Sequence, residues 1–218
     1  MAGQVTCVTT GTLIPRIGTK VMKKIYFATH NAHKLQEVQQ ILGSDYRVVS
    51  AAEGGLTEAP DETADTLAGN ALIKARALYR AVHCPCFADD TGLLVEALGG
   101  APGVHSARYA GPAATDAQNR AKLLQQLAPL APPYRAKFQT VVAYISAQGE
   151  EHLFTGEVTG VISPQEVGAG GFGYDSLFVP DGYDRTFAQM PPQEKNLISH
   201  RYRAVCRLLE FLSHEPQA

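Results

Sequence analysis

The order of apolar and polar residues predicts alternating strands and helices in the first part of the chain. The short apolar run at residues 25–28 is typical of a buried strand. A helix is predicted after it, ending at Gly43, because four apolar residues recur there at helical spacing: Leu35, Val38, Ile41 and Leu42. The next strand is expected at residues 47–49. The chain therefore begins as an α/β protein.

A second helix is predicted over about residues 63–81, with an apolar stripe formed by Leu67, Ala71, Ala75, Leu78 and Val82. On another face of this helix, Thr66, Asn70 and Lys74 follow one another at i, i+4 spacing. Glu62 stands at the expected start of the helix, where the helix dipole favours a carboxylate. Simple helix capping is the alternative role for Glu62.

The second half of the chain predicts a long antiparallel hairpin between two further helices. Thr115 is suited to cap a helix that runs to Leu127. Residues 137–145 and 152–162 predict the two strands of the hairpin, and Ser199 can cap the last helix. A sheet that is extended by such a hairpin predicts two lobes with a cleft between them.

Two adjacent carboxylates, Asp89 and Asp90, end the apolar run of residues 86–88 and are followed by Thr91 and Gly92. We expect a buried strand that opens into a tight turn, with both acids at its C-terminal end, where open α/β sheets place their ligands. Side chains alternate along an extended chain, so one acid is free to face a metal ion or an attacking water while the other anchors the turn. A purely polar turn is the alternative.

Composition limits the classes of function. The 218 residues are 45% hydrophobic and 18% charged, which is ordinary for a globular protein of one domain or two joined lobes. The net charge of −2 and the pI near 6.4 argue against a general binder of nucleic acids or membrane surfaces. No apolar run approaches the ~20 residues that span a bilayer. The four cysteines lack the spacing of a zinc site, so we expect reduced thiols in a cytoplasmic protein.

Residues 1–21 differ from the rest of the chain, because they are rich in Thr and Gly and lack both helical periodicity and the apolar core of a signal peptide. Met22 then directly precedes the first predicted strand, as the first residue of a folded domain would. We expect residues 1–21 to be a dispensable extension and residues 22–214 to form a single two-lobed domain.

Two loops are candidates for ligand binding. At residues 29–34, a strand, a polar turn and a helix start make an anion site from backbone N–H groups and the helix dipole, with Asn31 and Lys34 as added donors. The glycines of a Walker loop are missing there, and an ordinary loop is the alternative. The glycine-rich residues 168–175 let the backbone approach a ligand closely, and they offer the aromatic faces of Phe172 and Tyr174 for stacking on a base; a flexible loop is the alternative.

Together these segments resemble the inosine triphosphate pyrophosphatase family, which removes non-standard purine nucleoside triphosphates from the nucleotide pool. The resemblance extends over about residues 24–212. Six motifs occur in the order of the family, at residues 29–34, 62–63 with 70–75, 88–93, 99–109, 171–175, and 194–195 with 199–201.

The resemblance implies an α/β fold with an elongated mixed β-sheet flanked by helices, two lobes, a central cleft and a homodimer. It also implies Mg²⁺-dependent hydrolysis of ITP, dITP and XTP to the monophosphate and pyrophosphate. Asp90 is then the expected general base and, together with Glu62, a metal ligand. The expected substrate-binding residues are Thr29, His30, Asn31, Ala32, His33, Lys34, Lys74, Thr91, Phe172, Gly173, Tyr174, Asp175, Lys195, His200 and Arg201.

Some details depart from the family pattern or stay open. His30 stands where the family usually has Gly or Asn, and Thr91 replaces the commoner Ser. The spacing around Glu58, Asp61 and Glu62 leaves open which of these acids would meet the metal ion. Near the last helix, two cations lie where the helix dipole prefers acids, which indicates a bound anion.

Three other functions compete with this interpretation: a pyrophosphatase for other modified nucleotides, a phosphatase that releases orthophosphate, and a non-catalytic nucleotide-binding module. The pair Asp89 and Asp90 argues against the last of these, because adjacent carboxylates repel a triphosphate unless a metal ion intervenes. Donors such as His200, Arg201 or backbone N–H groups would favour a purine with a 6-oxo group and leave the amine of adenine without an acceptor.

Overall fold

A mixed sheet forms the centre of the molecule, in a computed structural model that describes residues 22–214. Its strands are β1 (Lys23–Phe27), β2 (Tyr46–Ser50), β3 (Cys86–Val95), β4 (Pro102–Gly103), β5 (Tyr134–Ile145), β6 (Glu151–Ile162) and β7 (Phe178–Pro180). The strand order is β2-β1-β3-β5-β6-β7, and β4 pairs with β3 beside this path. β1 lies parallel to β2 and β3, whereas the other pairs are antiparallel. The mixed α/β fold class and the long hairpin are thus confirmed, and the expectation for residues 1–21 lies outside the described residues.

Within residues 22–214, the α-helices are α1 (Ala32–Leu42), α2 (Leu67–Val82), α3 (Asp116–Leu127), α4 (Pro192–Ile198) and α5 (His200–His214). Local signals for three of them are confirmed. α1 has Gly43 as its C-cap, with a φ of 65° that favours glycine. α3 begins with a capping box in which Thr115 accepts the N–H of Gln118. Ser199 Oγ accepts the N–H of Tyr202 at 3.1 Å in the first turn of α5.

Hydrophobic clusters on opposite faces of the same strands hold these helices in place. Phe87 of β3 packs with α1 and α5, whereas its neighbours Cys86 and Ala88 pack with α2. This division follows from the alternation of side chains along a strand. A third cluster, around Phe138 and Leu123, fills the far end of the hairpin under α3. The middle of β3 lies between these clusters and is polar.

The structure corrects the prediction that residues 89–92 form a turn. β3 continues without a break to Val95, and all ten of its residues pair with β5. On the other side, β1 pairs with β3 only at residues 86–87 and β4 only at residues 93–94. Residues 88–92 therefore face an opening in the sheet, beside the C-terminal end of β1. Charged side chains are tolerated inside this strand because the opening gives them room and partners.

A second correction concerns the start of α2 and the place of Glu62. α2 begins at Leu67, four residues later than predicted, with Thr66 as an N-cap that accepts the N–H of Gly69 at 3.0 Å. Residues 57–66 form neither a helix nor a strand. The side chain of Asn70 holds this segment by accepting the N–H of Ala64 at 3.0 Å. Glu62 is therefore not a helix cap, and its carboxylate pairs with groups of the cavity described below.

Two expectations drawn from composition can be compared with the described part of the chain. None of its helices is both long and apolar enough to cross a membrane. Cys84, Cys86 and Cys206 are free thiols. Burial raises the pKa of the Cys86 thiol to about 12, which keeps it protonated and unreactive.

Candidate active site

A cavity of about 380 Å³ opens beside the polar middle of β3, which is a usual size for a small-molecule site. One predicted site residue, Ala32 at the start of α1, does not line it. Of the three acids left open above, Glu62 lines the cavity, whereas Glu58 and Asp61 are exposed. The other predicted residues that the cavity brings together are Thr29, His30, Asn31, His33, Lys34, Lys74, Asp90, Thr91, Phe172, Gly173, Tyr174, Asp175, Lys195, His200 and Arg201.

Glu62 and Asp90 converge on the ammonium group of Lys74. Lys74 Nζ lies 2.9 Å from Glu62 Oε1 and 3.0 Å from Asp90 Oδ1. Burial raises the pKa of Asp90 above its usual value, against the opposing effect of the Lys74 charge. Burial by itself would lower the pKa of Lys74, but the surrounding carboxylates outweigh it and raise the pKa. Lys74 is therefore charged, and Asp90 is the more basic of the two adjacent aspartates.

The donor set at this point suits a divalent cation that is shared with a substrate. The described residues hold no group of three or more His, Cys, Asp or Glu side chains placed to bind a metal ion. Mg²⁺, however, is commonly bound by one or two carboxylates, with substrate phosphates and waters as its other ligands. Glu62 and Asp90 fit this requirement, since one oxygen of each already contacts the same cationic group.

Asp89 lies on the opposite face of β3 from Asp90 and has different partners. Its Oδ1 accepts from Lys34 Nζ at 2.8 Å, and its Oδ2 accepts from Arg201 Nε at 3.0 Å. Burial would raise the pKa of Asp89, but the charges of Lys34 and Arg201 outweigh it and hold the pKa well below the usual range. Asp89 is therefore ionised, and it links α1 to α5 through the back of the cavity.

The two cations near the last helix are paired inside the protein. Lys195 Nζ lies 2.9 Å from Glu37 Oε1 and 2.7 Å from Asp175 Oδ2, and the guanidinium of Arg201 contacts the other oxygen of Glu37. These carboxylates balance the positive charges of Lys195 and Arg201. The two cations therefore do not require the bound anion that the sequence indicated. Glu37 was not predicted as a site residue, although it follows Lys34 on α1 at i+3 and therefore shares its face.

The turn before α1 is shaped by its own side chains. Asn31 Oδ1 accepts the N–H groups of His33 at 2.9 Å and Lys34 at 3.2 Å, so Asn31 is the N-cap of α1. Thr29 Oγ1 accepts the N–H of Asn31 at 3.1 Å. This arrangement fixes the helix start at the mouth of the cavity and directs Lys34 into it.

Aromatic rings line another part of the cavity. Phe172 stacks on His33 with ring centroids 5.5 Å apart, and Lys195 Nζ lies 4.9 Å from the centroid of Phe172. His200 stacks on Phe138 at 4.6 Å, and its Nδ1 is buried without a hydrogen-bond partner among the described residues. Burial holds the pKa of His200 well below its usual value, so the imidazole is neutral. Aromatic faces and a neutral imidazole that line the same cavity suit a heteroaromatic ligand.

The loop that carries Phe172 is held by α3. Asp116 Oδ2 accepts the N–H of Gly173 at 2.7 Å, and Arg120 Nη1 donates to the carbonyl oxygen of Gly173 at 2.9 Å. The hydroxyl of Tyr174 donates to a main-chain oxygen at 2.8 Å. Sequence reasoning missed Asp116 and Arg120, because they bind backbone atoms and belong to no motif.

Comparisons with known proteins identify the family. The Ham1 family model matches residues 25–211. A Porphyromonas gingivalis protein named dITP/XTP pyrophosphatase is 49% identical over 191 residues, which are 88% of this chain and 98% of that protein. A Bacillus subtilis protein with the same name is 42% identical over 195 residues, with 88% and 98% covered. The solved structure of the Staphylococcus aureus Ham1 protein matches with a TM-score of 0.80 at 37% identity, covering 89% of this chain and 100% of that one. The chain therefore belongs to the Ham1 family.

Proposed function

We propose that this protein is a Mg²⁺-dependent pyrophosphohydrolase that converts ITP, dITP and XTP to the monophosphate and pyrophosphate. One observation carries the proposal: the carboxylates of Glu62 and Asp90, with Lys74, share a cavity with the aromatic groups of Phe172 and His200. The first group suits a triphosphate with its metal ion, and the second suits a purine. The name dITP/XTP pyrophosphatase, which several relatives carry, supports the same substrates.

The charges that line the cavity support the need for a divalent cation. Five Asp or Glu side chains face only four Lys or Arg side chains there, namely Lys34, Lys74, Lys195 and Arg201. Such a lining does not attract a polyanion by itself, because the carboxylates repel it. Mg²⁺ bound by Glu62 and Asp90 would supply the missing positive charge and polarise the phosphoryl group that is attacked.

Asp90 is the proposed general base. As the oxygen of a water molecule forms a new P–O bond, the Asp90 carboxylate accepts a proton from that water, and the P–O bond between the α- and β-phosphoryl groups breaks to release pyrophosphate. Lys34 and Lys74 both line the cavity. We expect their ammonium groups to stabilise the negative charge on the phosphate oxygens during this displacement.

His200 is the proposed group for selecting the purine. The guanidinium of Arg201 already contacts Asp89, Glu37 and Thr91, so its N–H donors are largely occupied. The imidazole of His200 is neutral. His200 lines the cavity, and an N–H of its neutral imidazole that faces the ligand can donate to the 6-oxo group of hypoxanthine or xanthine, whereas the amine of adenine offers it no acceptor.

The proposal includes a homodimer and a cytoplasmic location. The resemblance to the inosine triphosphate pyrophosphatase family supports the dimer, which sedimentation of the purified chain tests directly. The free thiols of Cys84, Cys86 and Cys206 are compatible with a reducing compartment.

Product analysis tests the proposed reaction. The full chain, incubated with ITP and Mg²⁺, is expected to release IMP and pyrophosphate, and EDTA is expected to abolish this release. ATP is expected to react far more slowly, because adenine carries an amine in place of the 6-oxo group. Formation of IDP and orthophosphate would overturn the proposal in favour of a phosphatase, and turnover restricted to modified pyrimidine nucleotides would overturn the assigned substrate class.

The variant Asp90→Asn tests the assignment of the base. Loss of a general base typically costs a factor of about 10² to 10⁴, so kcat for ITP is expected to fall at least about 100-fold while the circular dichroism spectrum is retained. Asp181→Asn is the matched control, because Asp181 pairs with Arg135 on the surface, away from the cavity. Wild-type kcat in Asp90→Asn would exclude Asp90 as the base.

A further inference from the structure

Arg108 lies behind the proposed metal-binding carboxylate and has no role in the reaction described so far. It ends the one-turn 3₁₀ helix Ser106–Arg108 and does not line the cavity. Its Nη1 donates to Glu62 Oε2 at 2.7 Å, and its Nη2 donates to the main-chain oxygen of Glu62 at 3.3 Å. Arg108 therefore reaches the cavity only through Glu62.

We propose that Arg108 is a positioning residue for the divalent cation, which holds one oxygen of Glu62 so that the other faces the metal ion. The two oxygens of Glu62 have separate partners: Oε2 contacts Arg108, and Oε1 contacts Lys74. This inference rests on the proposed function, since it concerns how the same metal ion is held.

Glu62 needs such a partner because its own backbone does not fix it. It belongs to residues 57–66, which form neither a helix nor a strand, and its side chain is 26% exposed. A glutamate in such a segment samples several rotamers unless a contact selects one. Arg108 binds both the carboxylate and the main-chain oxygen of this residue, so it fixes the segment and the side chain together.

Lys74 cannot fulfil this role once a metal ion is bound. Its ammonium contacts both Glu62 and Asp90, so it competes for the carboxylate oxygens that a divalent cation requires. Like charges repel, and a cation bound by these oxygens weakens the hold of Lys74 on them. Arg108 contacts the opposite oxygen of Glu62 and does not compete. It therefore keeps Glu62 in place in the metal-loaded enzyme.

Arg108 is itself held on rigid elements. Asn119 of α3 is buried; its Nδ2 donates to the carbonyl oxygen of Ala107 at 3.1 Å, and its Oδ1 accepts the N–H of Ala110 at 2.8 Å. Ser106 Oγ accepts the N–H of Leu93 in β3 at 2.8 Å. The 3₁₀ turn is thus tied to both α3 and β3. Partners that orient a metal ligand are effective when they are fixed in this way.

Metal binding without turnover tests the inference. Mn²⁺ is titrated into the full chain with a non-hydrolysable α,β-imido analogue of ITP, and free Mn²⁺ is counted by electron paramagnetic resonance. Loss of such an outer partner typically weakens metal affinity 10- to 100-fold, so Arg108→Ala is expected to raise the Kd for Mn²⁺ at least about tenfold. Arg108→Lys, which keeps a charge near Oε2, is expected to recover part of the affinity. kcat in Arg108→Ala is expected to recover at saturating Mg²⁺.

Control variants separate this role from a general effect on folding. Arg135→Ala removes an arginine that pairs with Asp181 on the surface, and it is expected to keep the wild-type Kd for Mn²⁺. Arg108→Gln, which retains a longer side chain, is expected to match Arg108→Ala and decides the question if the alanine variant does not fold. If the folded Arg108 variants bind Mn²⁺ with wild-type affinity, the inference about Arg108 is overturned and the proposed function still stands. A wild-type enzyme that hydrolyses ITP without any divalent cation overturns the proposed metal dependence and the inference with it.

Discussion

The buried imidazole of His200 is expected to make the folding stability depend on pH between 7 and 5. His200 is 4% exposed and stacks on Phe138. Burial above all, with a smaller contribution from nearby cations, holds its pKa well below 6.5. The charged groups that face it from α1, β3, α4 and α5 are Lys34, Asp89, Lys195 and Arg201.

The sign and the size of this effect follow from proton binding. In the unfolded chain His200 takes up a proton near its ordinary pKa, whereas in the folded protein it does not. Below pH ~6.5 the unfolded state therefore binds more protons, so the stability is fully present above that pH and is lost as the pH falls. With an unfolded pKa of about 6.5 and a slope that approaches about 1.4 kcal/mol per pH unit, the loss from pH 7 to pH 5 is about 2 kcal/mol.

Urea unfolding at pH 5, 6 and 7 and constant ionic strength measures this loss. His200→Gln removes the titrating group. As the pH falls from 7 to 5, the free energy of unfolding of this variant is expected to fall by about 2 kcal/mol less than that of the wild type. His105→Gln is the control, because His105 is exposed, and its pH dependence is expected to follow the wild type. If His200→Gln and the wild type lose the same free energy between pH 7 and pH 5, the reasoning about His200 is refuted.

Two further predictions concern close packing and the loop at the cavity. Gly156→Ala would press a methyl group against the carbonyl oxygen of His200 where α5 crosses β6, and it is expected to cost about 1–3 kcal/mol of stability in urea unfolding. Thr159→Ala, at an exposed position of the same strand, is expected to cost under about 1 kcal/mol, and equal costs would contradict the packing argument. Asp116→Ala removes the acceptor of the Gly173 N–H and is expected to raise KM for ITP about 5- to 10-fold with little change in kcat. An unchanged KM would show that Asp116 does not position this loop.

The sequence correctly predicted those helix ends that are set by residues close by in the chain. The start of α3 at Thr115 and the end of α1 at Gly43 follow from caps that lie within a few residues of the helix. The start of α2 was wrong by four residues, because the backbone of Ala64 bonds instead to the side chain of Asn70. A helix-like composition around residue 63 cannot reveal that competing bond.

The place of the adjacent acids in the sheet depends on distant residues. From the sequence alone, adjacent charged residues after an apolar run predict a turn, because unpaired charged side chains are rarely buried. Here Lys34, Lys74 and Arg201 neutralise the two acids, and these cations come from three helices. Such long-range pairs leave no local pattern. The resemblance to a known family located most of the cavity residues. Two residues were missed: Arg108, which acts through Glu62, and Asp116, which lines the cavity and holds Gly173.

The two acids illustrate how strand geometry gives neighbouring residues opposite roles. Alternation turns Asp89 toward α1 and α5, where Lys34 and Arg201 hold its pKa low, and turns Asp90 toward α2, where burial raises its pKa. Groups of the same type whose environments separate their pKa values commonly divide acid–base work between them. The ladder between β3 and β5 sets this division, because a slip of one residue would exchange the two faces. The same pairing that completes the sheet therefore decides which aspartate is available as a base.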